Sequence, residues 1–439
     1  MIFLSRIIRN LSWFSFIYLA DLSSTNILES YYNKININEP VLPKRPFISV
    51  WNIETGECDS QYGVKINLKQ FDIVSNSKQN RDGNIAVIFY ANLLGNYPYF
   101  DNNKKAINGG LPQLGNLTSH LHKCIFDIKH YIPDPDFAGI SVIDWEPWTP
   151  LWSNMGWGKR KFYQDTSIKN VKKRYPDLND KQVLKKARTE YEAAAKSYIV
   201  ETLKICKKMR PKANWGFYLY PDCYNYNKSS IHLECPPQQI LRDDEIQWMF
   251  DTSTALYPST YLGYWFKNSN RTKYYTAHRV SEAKRVNFNR PGNVSIPIYV
   301  YNNLVYRKTK TFLTLEDLID SSGISAVLGA SGVVLWGDHM HTSKEQCVKL
   351  SKYVNSTLGP FMKLASDAAS DCSLESCNGN GRCALTNNKK NSIGISRKMK
   401  TFLFVVLKTK HINFVFYCQC YIGFYGDYCQ YPEHNTLSN

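Results

Sequence analysis

ISVIDWE (residues 140–146) starts as an apolar run and ends in acid: Ile140, Ser141, Val142 and Ile143 lead into Asp144, Trp145 and Glu146. On an extended strand, side chains at i and i+2 project to one face, so the two carboxylates point the same way. Six further runs of this type recur along the chain: PFISVW (46–51), IAVIFY (85–90), WGFYLY (215–220), TALYPS (254–259), IPIYVY (296–301) and GVVLWG (332–337). Each is too short for a helix and rich in β-branched and aromatic residues, as buried strands are. Most of the stretches between them carry helical periodicity. The clearest runs from Asp180 to Met209, with Val183, Ala187, Tyr191, Ala194 and Tyr198 three or four apart. Asn179 or Asp177 caps its start and Pro211 ends it. A strand–helix alternation repeated about seven times is an α/β pattern, either a parallel barrel or a doubly wound sheet. No glycine-rich phosphate loop follows the first strand, which disfavours the nucleotide-binding version.

The chain has 439 residues, 43% of them hydrophobic and 14% aromatic, which excludes a disordered or low-complexity protein. Lys plus Arg is 54 against 37 Asp plus Glu, a net charge of +17 that calls for acidic partners. Residues 159–212 hold 17 of these cations and six acids; each lysine alone reads as solvated surface, but together they attract a polyanion. Compartment narrows the choice. Arg6 and Arg9 precede the short apolar stretch Leu11–Ala20, and Ser23 and Ser24 follow it, as in a secretory signal; a buried first helix is the other reading. Twelve cysteines, six of them between Cys372 and Cys429, fit an oxidised extracellular protein. Sequons at Asn116, Asn227, Asn270, Asn293 and Asn355 are glycosylation candidates. Nucleic acid is therefore not the expected partner, no later run is long enough for a membrane span, and a monomer is expected.

Near residue 366 the composition changes. Cys372, Cys377, Cys383, Cys418, Cys420 and Cys429 have the order of an epidermal-growth-factor-like module, except that 34 residues separate Cys383 from Cys418. Within that insert TFLFVVL and INFVFY flank a KTKH turn and could form a hairpin.

In a barrel the C-terminal ends of the strands form the active-site face. Two acids at the end of an apolar strand are costly unless used, paired or solvated; the plain alternative is a solvent-facing strand end. Ordinary glycosidases place two carboxyls on opposite sides of the scissile bond. Neighbours on one strand share a side, which suits substrate-assisted hydrolysis of an N-acetylhexosaminide: the acetamido oxygen attacks the anomeric carbon while one acid protonates the leaving oxygen. Tyr218, Tyr257, Tyr299, Tyr301 and Trp336, near the ends of other runs, fit a sugar groove. His339 and His341 lack a third ligand at sensible spacing, so no metal is expected, and no cofactor.

GGLPQLGNLTSHL (109–121), YIPDPDFAGISVIDWEPWTPLW (131–152), GFYLYPDCYNY (216–226), ALYPSTYL (255–262), AHRVSEA (277–283), GVVLWG and TLGPFM (357–362) together resemble the hyaluronidases of animals and venoms, over about residues 46–430. The resemblance implies a distorted TIM-like (β/α)7 barrel over 45–365, after a signal peptide at 1–24. An epidermal-growth-factor-like module over 366–431, with an insert at 384–417, follows. It implies that Glu146 is the general acid/base, that Asp144 holds the substrate acetamido group with Tyr218 nearby, and that Tyr257, Trp336 and, less closely matched, Tyr299 line the cleft. It also implies disulfides Cys58–Cys347, Cys223–Cys235, Cys372–Cys383, Cys377–Cys418 and Cys420–Cys429. Cys124 and Cys206 have no family partners and are buried thiols or pair with each other. After Trp336 the sequence lacks a second tryptophan that some members have. The expected activity is secreted hydrolysis of the β-1,4 linkages between N-acetylglucosamine and glucuronate in hyaluronan, with chondroitin a slower substrate. The alternatives are a chondroitin-preferring hydrolase and a non-catalytic glycan-binding protein.

Overall fold

A computed structural model describes residues 36–80, 83–156, 158–226, 233–292, 294–337, 342–386 and 415–433. The expected signal segment, most of the 384–417 insert, Asn227, Asn293, His339 and His341 lie outside them. In chain order, seven parallel strands follow: β1 (Ile48–Trp51), β2 (Ile73–Ser75), β3 (Ala86–Tyr90), β4 (Ile140–Asp144), β5 (Asn214–Phe217), β6 (Tyr299–Asn303) and β7 (Gly332–Trp336). The chain divides into two compact units. The smaller holds the described residues of Asp82–Tyr218 and Leu241–Thr254; the larger holds the remainder.

The smaller unit is built on the sheet β3-β4-β5, with Ala86 to Tyr90 in register with Ile140 to Asp144, and Ile140 to Ile143 with Asn214 to Phe217. Its long helices are α1 (Leu117–Tyr131), α2 (Lys161–Arg174) and α3 (Asp180–Met209). Asn179 caps α3 by accepting from the Gln182 N–H, while the Gln182 side chain accepts from the Asn179 N–H. This reciprocal pair satisfies two donors that the first turn leaves open. The buried stripe of α3 runs Val183, Ala187, Tyr191, Ala195, Tyr198, with Ala195 taking the inward position expected of Ala194.

The larger unit carries the sheet β6-β7-β1-β2. Strand β2 was not expected, because three residues are too few for a periodic signal. The run 254–259 pairs beside β6 only through the isolated bridges Leu256–Ile298 and Ser259–Tyr301. Its carbonyls accept from alternate residues of β6: Tyr299 N–H donates to the Leu256 carbonyl, then Tyr301 N–H to the Pro258 carbonyl. Pro258 has no N–H to return the intervening bond, so no continuous ladder forms. Its longer helices are α4 (Thr272–Phe288), α5 (Lys344–Tyr353) and α6 (Gly359–Ser376). After α6, β8 (Gly381–Thr386) pairs antiparallel with β9 (Val415–Cys420). The second half of INFVFY thus pairs with residues 381–386, and TFLFVVL lies outside the described residues. Disulfides join Cys372 to Cys383, Cys377 to Cys418 and Cys420 to Cys429 here, and Cys58 to Cys347 and Cys223 to Cys235 elsewhere in the unit. The buried Arg382 guanidinium donates to the Pro46 carbonyl at 2.8 Å and the Gly329 carbonyl at 3.2 Å, tying β8 to the larger unit's core.

A buried ion pair binds two sequence-distant segments of the larger unit. Arg279 on α4 and Asp222 approach to 3.0 Å, with side chains only 1% and 7% exposed. The guanidinium also donates to Asn225 Oδ1 at 2.9 Å and the Ser259 carbonyl at 2.7 Å, and lies over the rings of Tyr226 and Tyr275. Arg279→Met should therefore leave Asp222 buried without its counter-charge and destabilise the protein by about 3–5 kcal/mol. Urea unfolding measures this; a loss under about 1 kcal/mol with an unchanged m-value would show that the pair is dispensable.

Candidate active site

The acidic strand end lies in the smaller unit. Tyr90 of β3 is in register with Asp144 of β4, and the Tyr218 N–H continues the β4–β5 ladder by donating to the Ile143 carbonyl at 3.0 Å. Tyr90, Asp144 and Tyr218 thus sit side by side where the three strands end. Paired residues of a parallel sheet share a face, so their side chains leave it together. All three are half-buried, and Glu146, two residues on, is exposed. Its carbonyl accepts from Arg160 at 3.2 Å.

Between the two acids, Trp145 turns inward and is 6% exposed. It stacks on Tyr97 at 4.5 Å and meets His120 and Phe217 edge-on, each at 5.5 Å. Tyr97 in turn stacks on Trp148 at 5.0 Å. The positions of Asp144 and Glu146 are therefore fixed by the aromatic residue that separates them. Gly95 permits the close packing of α1 here: its φ is +66°, and a Cβ would lie 2.4 Å from His120 Nδ1.

One oxygen of Asp144 stands apart electrostatically. Although the residue is half-exposed, Oδ1 is fully buried and has no hydrogen-bond partner among the described residues. Burial, and then the charge of Glu146, pushes the Asp144 carboxyl from its ordinary 3.8 up to about 8. A buried acceptor without a donor is unfavourable until a ligand N–H or O–H reaches it. Nearby, His120 Nε2 shares a 2.8 Å hydrogen bond with Thr202, and burial lowers its pKa to about 4, so the ring is neutral. Cys124 and Cys206 are both free and buried. Burial pushes Cys124 up to about 12 and raises Cys206 well above its usual value, which leaves both thiols unreactive packing groups.

The aromatic candidates of the larger unit separate into two groups. Trp336, at the end of β7, is half-exposed and stacks on Tyr261 at 5.8 Å with the planes 17° apart; both line a cavity of ≈ 800 Å³. Tyr257 and Tyr299 are 0% and 1% exposed and stack on each other at 6.0 Å. Tyr299 was expected near the end of its strand, but β6 begins at Tyr299 and runs on to Asn303, so the ring lies in the core at the strand's start. The Tyr301 hydroxyl accepts from Asn52 at 3.1 Å. Tyr90 and Tyr261 were not singled out from the sequence. Tyr90 ends IAVIFY, and the strand-end rule applied to the other runs would have found it; Tyr261 lies in ALYPSTYL outside any strand. Asn116, Asn270 and Asn355 are exposed, and Asn116 caps α1 by accepting from Ser119. Among the described residues no group of three His, Cys, Asp or Glu is placed to hold a metal, and no helix is long and apolar enough to cross a membrane.

A family model described as hyaluronidase matches residues 36–433. The chain is 35% identical over 412 residues to Hyaluronidase-2 of Bitis arietans, covering 89% of this chain and 92% of that protein. It is 38% identical over 350 residues to Hyaluronidase-4 of Homo sapiens, covering 78% and 72%. Among solved structures, bee venom hyaluronidase in complex with a hyaluronic acid tetramer is similar with a TM-score of 0.66 at 31% identity, covering 72% of this chain and 98% of that one.

The raised pKa of Asp144 makes a signed prediction. The folded protein keeps this proton to higher pH than the unfolded chain, so the group's contribution to stability falls as pH rises between 3.8 and about 8. Asp144→Asn should match the wild type near the lower limit and become progressively more stable towards the upper one. The gap should reach on the order of 1–3 kcal/mol, well below the full shift because the residue is partly solvated. Denaturant unfolding at several pH values reads it, and a gap independent of pH would remove the buried, raised carboxyl from the account.

Proposed function

The chain belongs to the hyaluronidase family, and from that premise we propose that it cleaves the β-1,4 bonds between N-acetylglucosamine and glucuronate in hyaluronan by substrate-assisted, retaining catalysis. It is a glycosidase. The observation that carries the mechanism is the buried, unpartnered Oδ1 of Asp144, two residues before Glu146 on one strand end. In this reading the acetamido N–H of the substrate donates to that oxygen, orienting the acetamido carbonyl towards C1. A donor to the carboxylate favours its ionised form and lowers the Asp144 pKa again, which leaves the proton of the acidic pair with Glu146.

The acetamido oxygen attacks C1, and the glycosidic C1–O bond breaks as its electron pair takes the proton from Glu146. The product is a cyclic oxazolinium, whose positive charge Asp144 stabilises. Water then attacks C1 from the face the leaving group vacated, Glu146 takes its proton, and the C1–acetamido bond opens with net retention. Tyr218, beside Asp144 in the sheet, hydrogen-bonds near the acetamido group. Trp336 offers a stacking face to a sugar. The resemblance assigns Tyr257 and Tyr299 to the cleft as well; in the larger unit both are fully buried and stack on each other. The reading includes the fold that the resemblance implies, a distorted (β/α)7 barrel with an epidermal-growth-factor-like module. It also includes secretion, since five disulfides are stable in an oxidising compartment. The bee venom relative was solved with a hyaluronic acid tetramer, which supports hyaluronan as substrate. Chondroitin, built on the same alternation of N-acetylhexosamine and uronate, is the slower substrate in this reading.

Hyaluronan depolymerisation by the wild type and by Glu146→Gln, from about pH 3.5 to about pH 8, tests the proposal. The wild type should release even-numbered oligosaccharides, with the folded variant slower by about 10²–10⁴-fold or more. Asp144→Asn should lose kcat far more than it raises KM, because its role is realised in the transition state. If the wild type binds hyaluronan but leaves it intact, the assignment of this substrate fails.

A further inference from the structure

In the larger unit, the turn from Val305 to Phe312 carries Arg307, Lys308 and Lys310 as exposed side chains. The turn is tightly built. Tyr306 N–H donates to the Thr311 carbonyl at 3.1 Å, Thr309 N–H to the Tyr306 carbonyl at 3.0 Å, and Thr311 N–H to Thr309 Oγ1 at 3.1 Å. At its base the buried Tyr306 hydroxyl donates to the Asp317 carboxylate, and Phe312 stacks on Tyr353 at 4.3 Å with the planes 14° apart. The backbone that carries the cations is therefore held from both ends.

Arg307, Lys308, Lys310 and, from α5, Lys349 line the same ≈ 800 Å³ cavity as the stacked pair Tyr261 and Trp336. Among the described lining residues the sole acid is Glu345, which Lys349 engages at 2.6 Å. No described carboxylate forms an ion pair with Arg307, Lys308 or Lys310. Arg307 also lies over the Tyr226 ring at 5.8 Å, and Lys349 together with Lys310 holds the Glu345 carboxyl below its usual range. An aromatic platform flanked by four cations against one carboxylate does not match a neutral glycan. It matches a sugar that carries its own negative charge, and the rigid turn lowers the ordering cost of meeting it.

We propose that this cavity is an anion-reading sugar subsite, in which Trp336 takes the face of a sugar and the 307–310 turn takes the uronate carboxylate or sulfate ester of that glycosaminoglycan chain. The inference rests on the reading of the protein as a glycosaminoglycan hydrolase and deepens it by assigning the residues that recognise charge.

The test is direct binding, separate from turnover. The full chain bearing Glu146→Gln is titrated calorimetrically with a hyaluronan hexasaccharide, a chondroitin 4-sulfate hexasaccharide and a neutral N-acetylglucosamine hexamer, before and after adding Lys308→Gln and Lys310→Gln. The added pair should weaken binding of the acidic oligosaccharides about 5- to 20-fold at low salt, and the difference should collapse near 0.5 M salt. It should leave the neutral hexamer unaffected. The Lys308→Arg, Lys310→Arg pair, which keeps the charge, should restore affinity, and thermal midpoints equal to the parent's confirm folding. Equal losses for both acidic probes identify the carboxylate as the group read; a larger loss for the sulfated probe identifies the ester. Unchanged affinity for both acidic probes, or an equal loss for the neutral hexamer, overturns the subsite. Failure of the wild type to cleave hyaluronan would instead overturn the proposed activity, and the binding comparison would still decide the subsite on its own.

Discussion

A carboxyl oxygen kept from water without a donor is a demanding feature of the smaller unit. Leaving Asp144 Oδ1 buried and unpartnered costs about 1–3 kcal/mol, so the surrounding packing has to hold it there. The strand geometry supplies the means. Asp144 and Glu146 flank a residue that must point the other way, and that residue is Trp145, packed against Tyr97, His120 and Phe217. Burying an aromatic of this size contributes roughly 2–3 kcal/mol, from which its own indole N–H, buried without a partner among the described residues, subtracts. A neutral His120 matters in this arrangement, since a protonated ring would add an unpaired charge to the same apolar cluster. The DxE pattern is then one device: an inward anchor that fixes where two outward acids stand.

Strand alternation is also why this part of the site was readable from sequence alone. Period-two geometry is local and needs no knowledge of the fold, so ISVIDWE announced two carboxylates on one face before any neighbour was known. The seven-run count was nearly as legible, and it failed where locality fails. Ile73–Ser75 forms a strand through its partner β1 and not through a pattern of its own. The run 254–259 has strand composition, yet Pro258 withholds the donor that a regular ladder needs. Tyr299 was misplaced for a related reason: the apolar run ends at Tyr301, but the β6 strand continues through the polar Asn302 and Asn303, which hydrophobicity does not mark. Tyr90 was visible and overlooked. Tyr261 was not visible, because its stacking on Trp336 joins two segments 75 positions apart in the chain.

The larger unit depends on a different kind of constraint, a buried guanidinium whose partners come from separate motifs. Asp222, Asn225 and Tyr226 belong to one resembling segment, Ser259 to another and Arg279 to a third. Their closeness in space explains why residues scattered over the sequence look alike together: each satisfies a donor or charge that the others would leave exposed to the core. Such a network favours one arrangement of the segments, since any slip would leave at least one ionic group unpaired.

Charge density along a sequence and charge available to a ligand are different quantities, and this chain separates them. Residues 159–212 hold the densest run of cations, yet Asp165, Asp180, Glu190, Glu192 and Glu201 within it are each engaged by a lysine or arginine of the same segment. Arg210 is buried on the Ile132 carbonyl and Lys212 pairs with Asp136; most of the cations left over are long side chains on helix surfaces, which must give up rotamer freedom to meet a ligand. The turn carrying Arg307, Lys308 and Lys310 contributes fewer charges but presents them on a hydrogen-bonded backbone at the edge of a cavity, beside a flat aromatic pair. The helical excess provides a diffuse field that salt screens within about 10 Å. The turn adds position to charge, and position is what distinguishes recognition of one acidic sugar from general attraction to a polyanion.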